Sequence, residues 1–292
     1  MPPDPPAPSV FGMTTTEQLD RQGHRVSGAA GCELYVEETG NPDGQPVLFI
    51  HGLSQCRLAW NRQLDSDLGR DLRLVAMDLR GHGRSQQPRD AYGDSSLWAD
   101  DIHAVITSLG LRQPILCGWS YGGVVIGDYV SRYGEEAIGG IALVGAVSLL
   151  GESVMPFLGP DFVDVLPALF TSDVEESNAG LQRFIRICAS IDLEPEEFLA
   201  VLGYNSVVPP RVRQALLSRT VDHDDLYARL STPMLITHGL EDRVILPAMS
   251  EQLARLAPNA RTSYYAGVGH SPFRESTGRF NTELHAFATS LS

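Results

Sequence analysis

The chain has 292 residues, of which 43% are apolar and 20% are charged, and its formal net charge is −14. This length and balance indicate a globular protein with a sizeable core, and the negative charge argues against nucleic-acid binding. All 22 basic side chains are arginine, and the lack of lysine excludes Schiff-base chemistry and a P-loop lysine. The four cysteines show no CxxC spacing and are too scattered for a disulfide framework, which suits a reducing compartment.

Residues 1–20 are rich in proline and poor in apolar side chains, which predicts a disordered tail. This segment has neither the basic region nor the apolar region of a signal peptide. The uncharged stretch over residues 137–151 is too short and too glycine-rich to span a bilayer. We therefore expect a cytoplasmic protein that binds neither membranes nor nucleic acids; the oligomeric state stays open.

Beyond the tail, short apolar runs alternate with helical patterns. Strands are predicted at residues 34–39, 47–50, 72–77, 115–117, 141–144, 234–237 and 262–266. Helices are predicted over residues 96–109, 124–133, 248–256 and 280–291. Most of the strands are almost continuously apolar, as is typical of strands buried on both faces of a parallel sheet. The alternation predicts βαβ units and the α/β fold class.

The alternation breaks between residues 148 and 225, where only helical patterns occur and prolines interrupt them. We interpret residues 148–225 as a helical insert between two parts of one core, residues 21–147 and 226–292. Residues 151–230 hold 13 acidic and 6 basic side chains, so half of the net negative charge lies there. Most apolar side chains of such a small helical unit are needed for its own packing.

The sequence Gly118-Trp-Ser-Tyr-Gly122 stands between a predicted strand and a predicted helix. A G-x-S-x-G pattern in this context predicts that Ser120 is a nucleophile. The turn strains the serine backbone and crowds the residues two before and two after it, which glycine relieves. The amide of Tyr121, at the positive end of the following helix, is placed to stabilise an oxyanion.

A serine hydroxyl needs a base to react, and His270 follows the last predicted strand, directly after Gly267-Val-Gly269. Asp242 follows the strand at 234–237 and is expected to accept a hydrogen bond from that imidazole. All three groups come at the carboxyl ends of strands, where open α/β sheets bind ligands. Glu241 and Glu152 are weaker candidates for the acid. His238 comes too early in the chain for the base and is interpreted as structural.

His51-Gly52-Leu53 follows the predicted strand at 47–50. Gly52 allows a sharp turn, and the amide of Leu53 is expected to be the second oxyanion donor. His51 is expected to brace the loop rather than contact a substrate. We expect Gly52 and Trp119, which flank the serine, to contribute to the substrate pocket.

Together these motifs resemble the α/β-hydrolase superfamily: His51-Gly52, Asp78-Leu-Arg-Gly-His-Gly-Arg-Ser85, Gly118-Trp-Ser-Tyr-Gly-Gly123, Gly239-Leu-Glu-Asp242 and Gly269-His270. The resemblance implies an eight-stranded, mostly parallel sheet with helices on both faces, a helical cap and a Ser-His-Asp triad. It also implies that residues 78–85 form a structural loop, in which we expect Asp78 and Arg80 to pair or to form local hydrogen bonds. A serine at position 120 disfavours the members that use an aspartate nucleophile. Haloperoxidase-like esterases and C–C bond hydrolases remain close in pattern.

These features predict a serine hydrolase that cleaves a neutral, moderately hydrophobic carboxylic ester through an acyl-enzyme. No metal or organic cofactor is implied. One alternative keeps the triad but cleaves a lactone or a C–C bond; a carboxylate substrate could then meet Arg183 or Arg186, which otherwise form a solvated helix face. Another alternative is a catalytically silent ligand-binding protein. The natural substrate, its chain length and its stereochemistry stay open.

Overall fold

The computed structural model describes residues 20–257 and 259–291, so the predicted tail lies almost wholly outside the described residues. The strands are β1 Gln22–Ser27, β2 Glu33–Gly40, β3 Gln45–Ile50, β4 Leu72–Asp78, β5 Ile115–Trp119, β6 Gly140–Val144, β7 Leu149–Leu150, β8 Val221–Asp222, β9 Met234–Gly239 and β10 Arg261–Tyr265. The helices are α1 Asn61–Leu64, α2 Ser95–Ser108, α3 Gly122–Tyr133, α4 Pro160–Phe170, α5 Val174–Ile187, α6 Pro195–Ser206, α7 Pro210–Leu217, α8 Asp224–Tyr227, α9 Ala248–Leu256, α10 Pro272–Glu275 and α11 Thr277–Thr289.

Eight strands form one sheet in the order β1-β2-β4-β3-β5-β6-β9-β10. Strand β2 runs antiparallel to both of its neighbours, and every other pair in this sheet is parallel. This confirms the α/β class and the eight-stranded, mostly parallel sheet. Strand β1 was not predicted, because it is an edge strand in which Val26 alone is buried and no apolar run marks it.

Two apolar layers cover the two faces of the sheet, as the period of a strand requires. On β3, Val47 and Phe49 pack into the layer that includes α11, whereas Leu48 and Ile50 pack into the layer that includes α2 and α3. Because both faces are buried, the central strands are apolar at nearly every position, which is why the sequence revealed them. In the described part of the chain, no helix is long and apolar enough to cross a membrane.

The insert leaves the sheet after β6 and returns to it at β9. It holds helices α4 to α7 and also a two-stranded antiparallel sheet of β7 and β8 that the sequence did not indicate. Strands of two residues are too short to show a period. Main-chain bonds from Gly159 N to Val244 O (2.9 Å) and from Leu246 N to Phe157 O (2.8 Å) tie the insert to the loop after β9.

The loop at residues 78–85 is held by buried ion pairs, but the predicted pairing of Asp78 with Arg80 is wrong. Arg80 donates to both carboxylate oxygens of Asp101 in α2, at 2.7 and 2.8 Å. Asp78 instead accepts from the Arg57 guanidinium at 3.0 Å and from the amides of Arg57 and Arg84 at 2.8 Å each. The true partners lie 21 residues away along the chain, so local spacing could not identify them.

Candidate active site

Ser120 occupies the turn between β5 and α3, with φ at +55°. A residue with a side chain rarely adopts this left-handed conformation, so the turn stores strain that the surrounding structure must sustain. A Cβ atom on Gly118 would lie 2.8 Å from the Gly122 carbonyl, and one on Gly122 would lie 2.6 Å from the Ile50 oxygen. The two glycines are therefore required by the close approach that the sequence pattern predicts.

The loop after β3 runs directly beside this turn. A Cβ atom on Gly52 would lie 2.9 Å from the Cβ of Ser120, so only glycine permits the approach. Within residues 20–257 and 259–291, neither the Leu53 amide nor the Tyr121 amide donates to another protein group. Both N–H groups are thus available to an oxygen bound next to Ser120, which is the requirement for an oxyanion hole.

His270 and Asp242 form a buried pair at the same end of the sheet. His270 Nδ1 lies 2.7 Å from Asp242 Oδ2, and Asp242 Oδ1 accepts from the amides of Val244 (2.8 Å) and Ile245 (3.0 Å). Burial would raise the pKa of Asp242, but the facing His270 and the neighbouring His238 outweigh burial and hold the pKa well below its usual range. Asp242 is therefore an ionised acceptor that fixes the proton of His270 on Nδ1.

His238, expected to be structural, lies against this pair. Its Nε2 is 2.9 Å from the Ile245 oxygen and 3.1 Å from Asp242 Oδ2, and its Nδ1 is 2.6 Å from the Ser250 hydroxyl. The carbonyl and the carboxylate are both acceptors, so Nε2 must carry the proton in this arrangement. His238 is fully buried and faces the same carboxylate oxygen of Asp242 as His270 does.

Ser120 and His270 are both anchored at the carboxyl end of the sheet. The indole Nε1 of Trp119 donates to the His270 oxygen at 2.8 Å, and the Ser120 amide donates to the Val144 oxygen at 3.0 Å. A Cβ atom on Gly145 would lie 3.2 Å from His270 Nδ1. Among the described residues, no hydrogen bond joins the Ser120 hydroxyl to His270. Such bonds are often long in a free enzyme and shorten when a substrate binds.

A cavity of about 120 Å³ opens onto Ser120, Leu53 and Tyr121. None of its lining residues carries a charge, and the Tyr121 hydroxyl already accepts from Arg219 at 2.7 Å. Apart from Gly151, the rest of the wall is apolar. The insert contributes Leu150, Val154, Met155, Leu158, Phe162, Leu166, Phe184 and Leu217, and the core contributes Val147, Val244 and Ile245. The site therefore offers an uncharged, largely apolar surface beside a strained serine.

Two expected pocket residues do not line this cavity within the described chain. Trp119 precedes the serine and packs on the opposite face of the sheet, with its ring 4.9 Å from Phe273 and 5.4 Å from His270. Successive residues of a strand alternate between faces, so the neighbours of a nucleophile need not share its pocket. Gly52 approaches the serine itself rather than the cavity.

The expected anion-binding arginines also lie elsewhere. Arg183 is half exposed and lies 3.5 Å from Asp164, and the Arg186 guanidinium lies 4.8 Å from the ring centre of Phe198. Neither lines the cavity, so the carboxylate-binding role is not supported and the solvated helix face fits better.

His51 braces its loop, in agreement with expectation. Its Nε2 accepts from the Leu79 amide at 3.0 Å, so Nδ1 carries the proton and donates to the Gly52 oxygen at 2.8 Å. Burial lowers the pKa of His51 to about 4. The imidazole is therefore neutral at physiological pH and fixes the backbone next to Leu53.

Comparisons with known proteins found similar sequences and similar structures. The sequence model described as the Alpha/beta hydrolase family matches residues 47–283. The crystal structure of an esterase from Rhodococcus sp. ECU1013 superposes with a TM-score of 0.87 and 36% identity, covering 92% of this chain and 99% of the other. A non-heme haloperoxidase of Rhodococcus erythropolis is 29% identical over 91% of this chain and 99% of its own length. A bifunctional esterase/perhydrolase of Acinetobacter calcoaceticus is 29% identical with the same coverage, 91% and 99%.

Proposed function

This chain belongs to the alpha/beta hydrolase family, and from that premise we propose that it is a serine hydrolase of neutral, moderately hydrophobic carboxylic esters. One observation carries the proposal: a serine strained at φ +55° opens into an uncharged, apolar cavity. The buried pair of His270 and Asp242 at the same sheet edge supplies a base and its orienting acid. Similarity to an esterase at 36% identity supports the same class of reaction.

In this mechanism His270 accepts the proton of Ser120 as the hydroxyl oxygen attacks the ester carbonyl carbon. The amides of Leu53 and Tyr121 donate to the oxyanion that forms. The C–O bond of the ester then breaks, and His270 returns the proton to the departing alcohol, which leaves an acyl-enzyme. His270 next takes a proton from a water molecule as its oxygen attacks the acyl carbon. The bond between that carbon and the Ser120 oxygen then breaks, and His270 returns the proton to Ser120 as the acid leaves. Asp242 stabilises the imidazolium in both halves of the reaction.

The dimensions of the cavity favour a small acyl group, and we assign the insert as the cap that shapes it. The cavity volume is about 120 Å³. An apolar cavity of about 150 Å³ takes up benzene, so an acyl group of roughly four to six carbons fits here. A charged acyl group would lose its hydration without gaining a partner, because no charged side chain lines the wall.

Hydrolysis of p-nitrophenyl esters from acetate to decanoate tests the proposal, with Ser120→Ala as the inactive variant. Ser153→Ala, at an exposed serine of the insert, is the matched control. We expect turnover that requires Ser120 and is fastest near butyrate or hexanoate. Unchanged turnover in Ser120→Ala would refute the mechanism. If the folded wild type reacts with a fluorophosphonate but hydrolyses no ester, the bond cleaved is of another kind, such as a lactone.

A further inference from the structure

Glu275, the last residue of α10, holds the main chain on both sides of His270. Its carboxylate accepts from the Gly269 amide, 3.1 Å from each oxygen, and from the Ser271 amide at 3.2 Å. The same carboxylate accepts from the amide of Ser190 in the insert at 2.7 Å. One side chain thus collects three backbone N–H groups, two of which flank the proposed base. Bonds to an ionised acceptor are among the stronger hydrogen bonds of proteins.

We propose that Glu275 is a positioning residue for His270. Through its bond to the Ser190 amide, Glu275 also couples the orientation of His270 to the position of the insert. The inference rests on the proposed function, in which His270 is the base. The Trp119 indole donates to the His270 oxygen at 2.8 Å, so the peptide group that joins His270 to Ser271 is held at both its oxygen and its N–H, while the Gly269 N–H is held on the other side of His270. With its backbone fixed, the imidazole keeps one direction toward Ser120.

Residues 186–190 of the insert, a turn that includes Ser190, are also held by the loop that carries Asp242. Arg243, directly after Asp242, donates to the Arg186 oxygen at 2.9 Å and to the Ala189 oxygen at 3.3 Å. A Cβ atom on Gly269 would lie 2.9 Å from the Ser190 nitrogen, so the His270 loop and the insert are in backbone contact. Residues 186–190 therefore accept hydrogen bonds from Arg243, which is next to Asp242. They also donate one, from the Ser190 amide, to Glu275, which holds the loop of His270.

The turn at residues 186–190 begins at the end of α5, a helix that contributes to the cavity wall. Phe184 lies in α5, just before the turn, and lines the cavity wall. An acyl group that fills the cavity contacts Phe184 of α5, and the segment that follows α5 brings the Ser190 amide to Glu275. Substrate fit and the placement of His270 are linked by this route, without contact between Glu275 and the substrate.

Glu275→Gln tests the positioning role, because it keeps the shape but replaces one acceptor oxygen with a donor that faces amide N–H groups. Misplacement of a catalytic group by about 1 Å costs up to about 100-fold in rate, so we expect kcat for p-nitrophenyl butyrate to fall about 10-fold or more. KM should stay within about two-fold, because no pocket contact changes. Glu251→Gln, at an exposed position of α9, is the matched control.

Thermal unfolding and fluorophosphonate labelling of the same samples separate the possible outcomes. A folded Glu275→Gln variant with wild-type kcat would overturn the inference, and so would a loss of kcat that merely follows a loss of folded protein. If the wild type itself neither turns over esters nor becomes labelled, the proposed function fails instead. The two failures are therefore distinguishable.

Ser190 offers a separate test of the link to the insert. Ser190→Pro removes the amide hydrogen that Glu275 accepts, whereas Ser190→Ala keeps it. We expect kcat to fall about five-fold in the proline variant, which a loss of about 1 kcal/mol would produce, and to stay unchanged in the alanine variant. Equal kcat values would show that the insert does not act through this bond. If the proline variant does not fold, Arg243→Met loosens the same turn without touching Glu275, and it should lower kcat likewise; an unchanged kcat there would also overturn the link.

Discussion

Asp242→Asn preserves the shape of the side chain and removes its charge, and the structure shows why it should be severe. Oδ1 accepts from two amides, those of Val244 and Ile245, and Oδ2 faces the N–H groups of His270 and His238. All four neighbours are donors. Whichever way the new amide turns, its NH₂ group faces two N–H groups and cannot accept from either.

The magnitude follows from these contacts. A hydrogen bond to a charged group contributes about 1.5–3 kcal/mol, so the loss of two amounts to about 3–6 kcal/mol. At about 1.4 kcal/mol for each factor of ten, kcat/KM should fall by about 10² to 10⁴. The alternative for His270 is to move its proton to Nε2 and accept from the asparagine amide through Nδ1. It then cannot take the proton of Ser120, so this escape is also inactive.

The assay is kcat/KM for p-nitrophenyl butyrate, with Asp192→Asn as the control at an exposed position of the insert. Thermal unfolding of each variant establishes that folded protein is being compared. If Asp242→Asn retains more than about a tenth of the wild-type kcat/KM, the assignment of Asp242 as the orienting acid is refuted.

Three further predictions concern pH, the cavity and the core. Partial burial raises the pKa of Glu135, but hydrogen bonds from residues 231–232 outweigh it and lower the pKa from 4.5 to about 2. The stability that Glu135 contributes is therefore present above pH 4.5 and is lost as the pH falls through 2. In urea unfolding, Glu135→Gln should be about 1 kcal/mol less stable than the wild type at pH 7, and this difference should shrink as the pH falls from 4.5 toward 2; a constant difference would contradict this. Phe184→Ala enlarges the cavity and should move the optimum of the ester series to chains about two carbons longer or more, whereas an unmoved optimum would place the acyl group elsewhere. Asp101→Asn leaves the buried Arg80 guanidinium without its counter-charge and should lower the free energy of unfolding by about 3–5 kcal/mol in urea titrations, and a loss below about 1 kcal/mol would show that the pair is not essential.

The sequence by itself determined those parts of the protein that local sterics and strand periods control. Apolar runs revealed the central strands, because burial on both faces leaves no polar position. Gly118 and Gly122 predicted the strained turn at Ser120, because a side chain at either position would clash with nearby backbone atoms. The positions of Asp242 and His270 after two other strands also indicated their pairing, since the carboxyl ends of parallel strands share one edge.

Only the tertiary structure decided which groups support that edge. Glu275, His238 and Trp119 contact Asp242 or the loop of His270 in a way that depends on how separate segments pack, and no local pattern marks them. The pairing of Arg80 with Asp101, rather than with Asp78, has the same origin. The uncharged cavity is also a tertiary property, because the orientation of α5 sends Phe184 inward and leaves Arg183 half exposed. Spacing along a chain determines backbone conformation, whereas the partners of a charged or aromatic side chain depend on which distant elements the fold brings beside it.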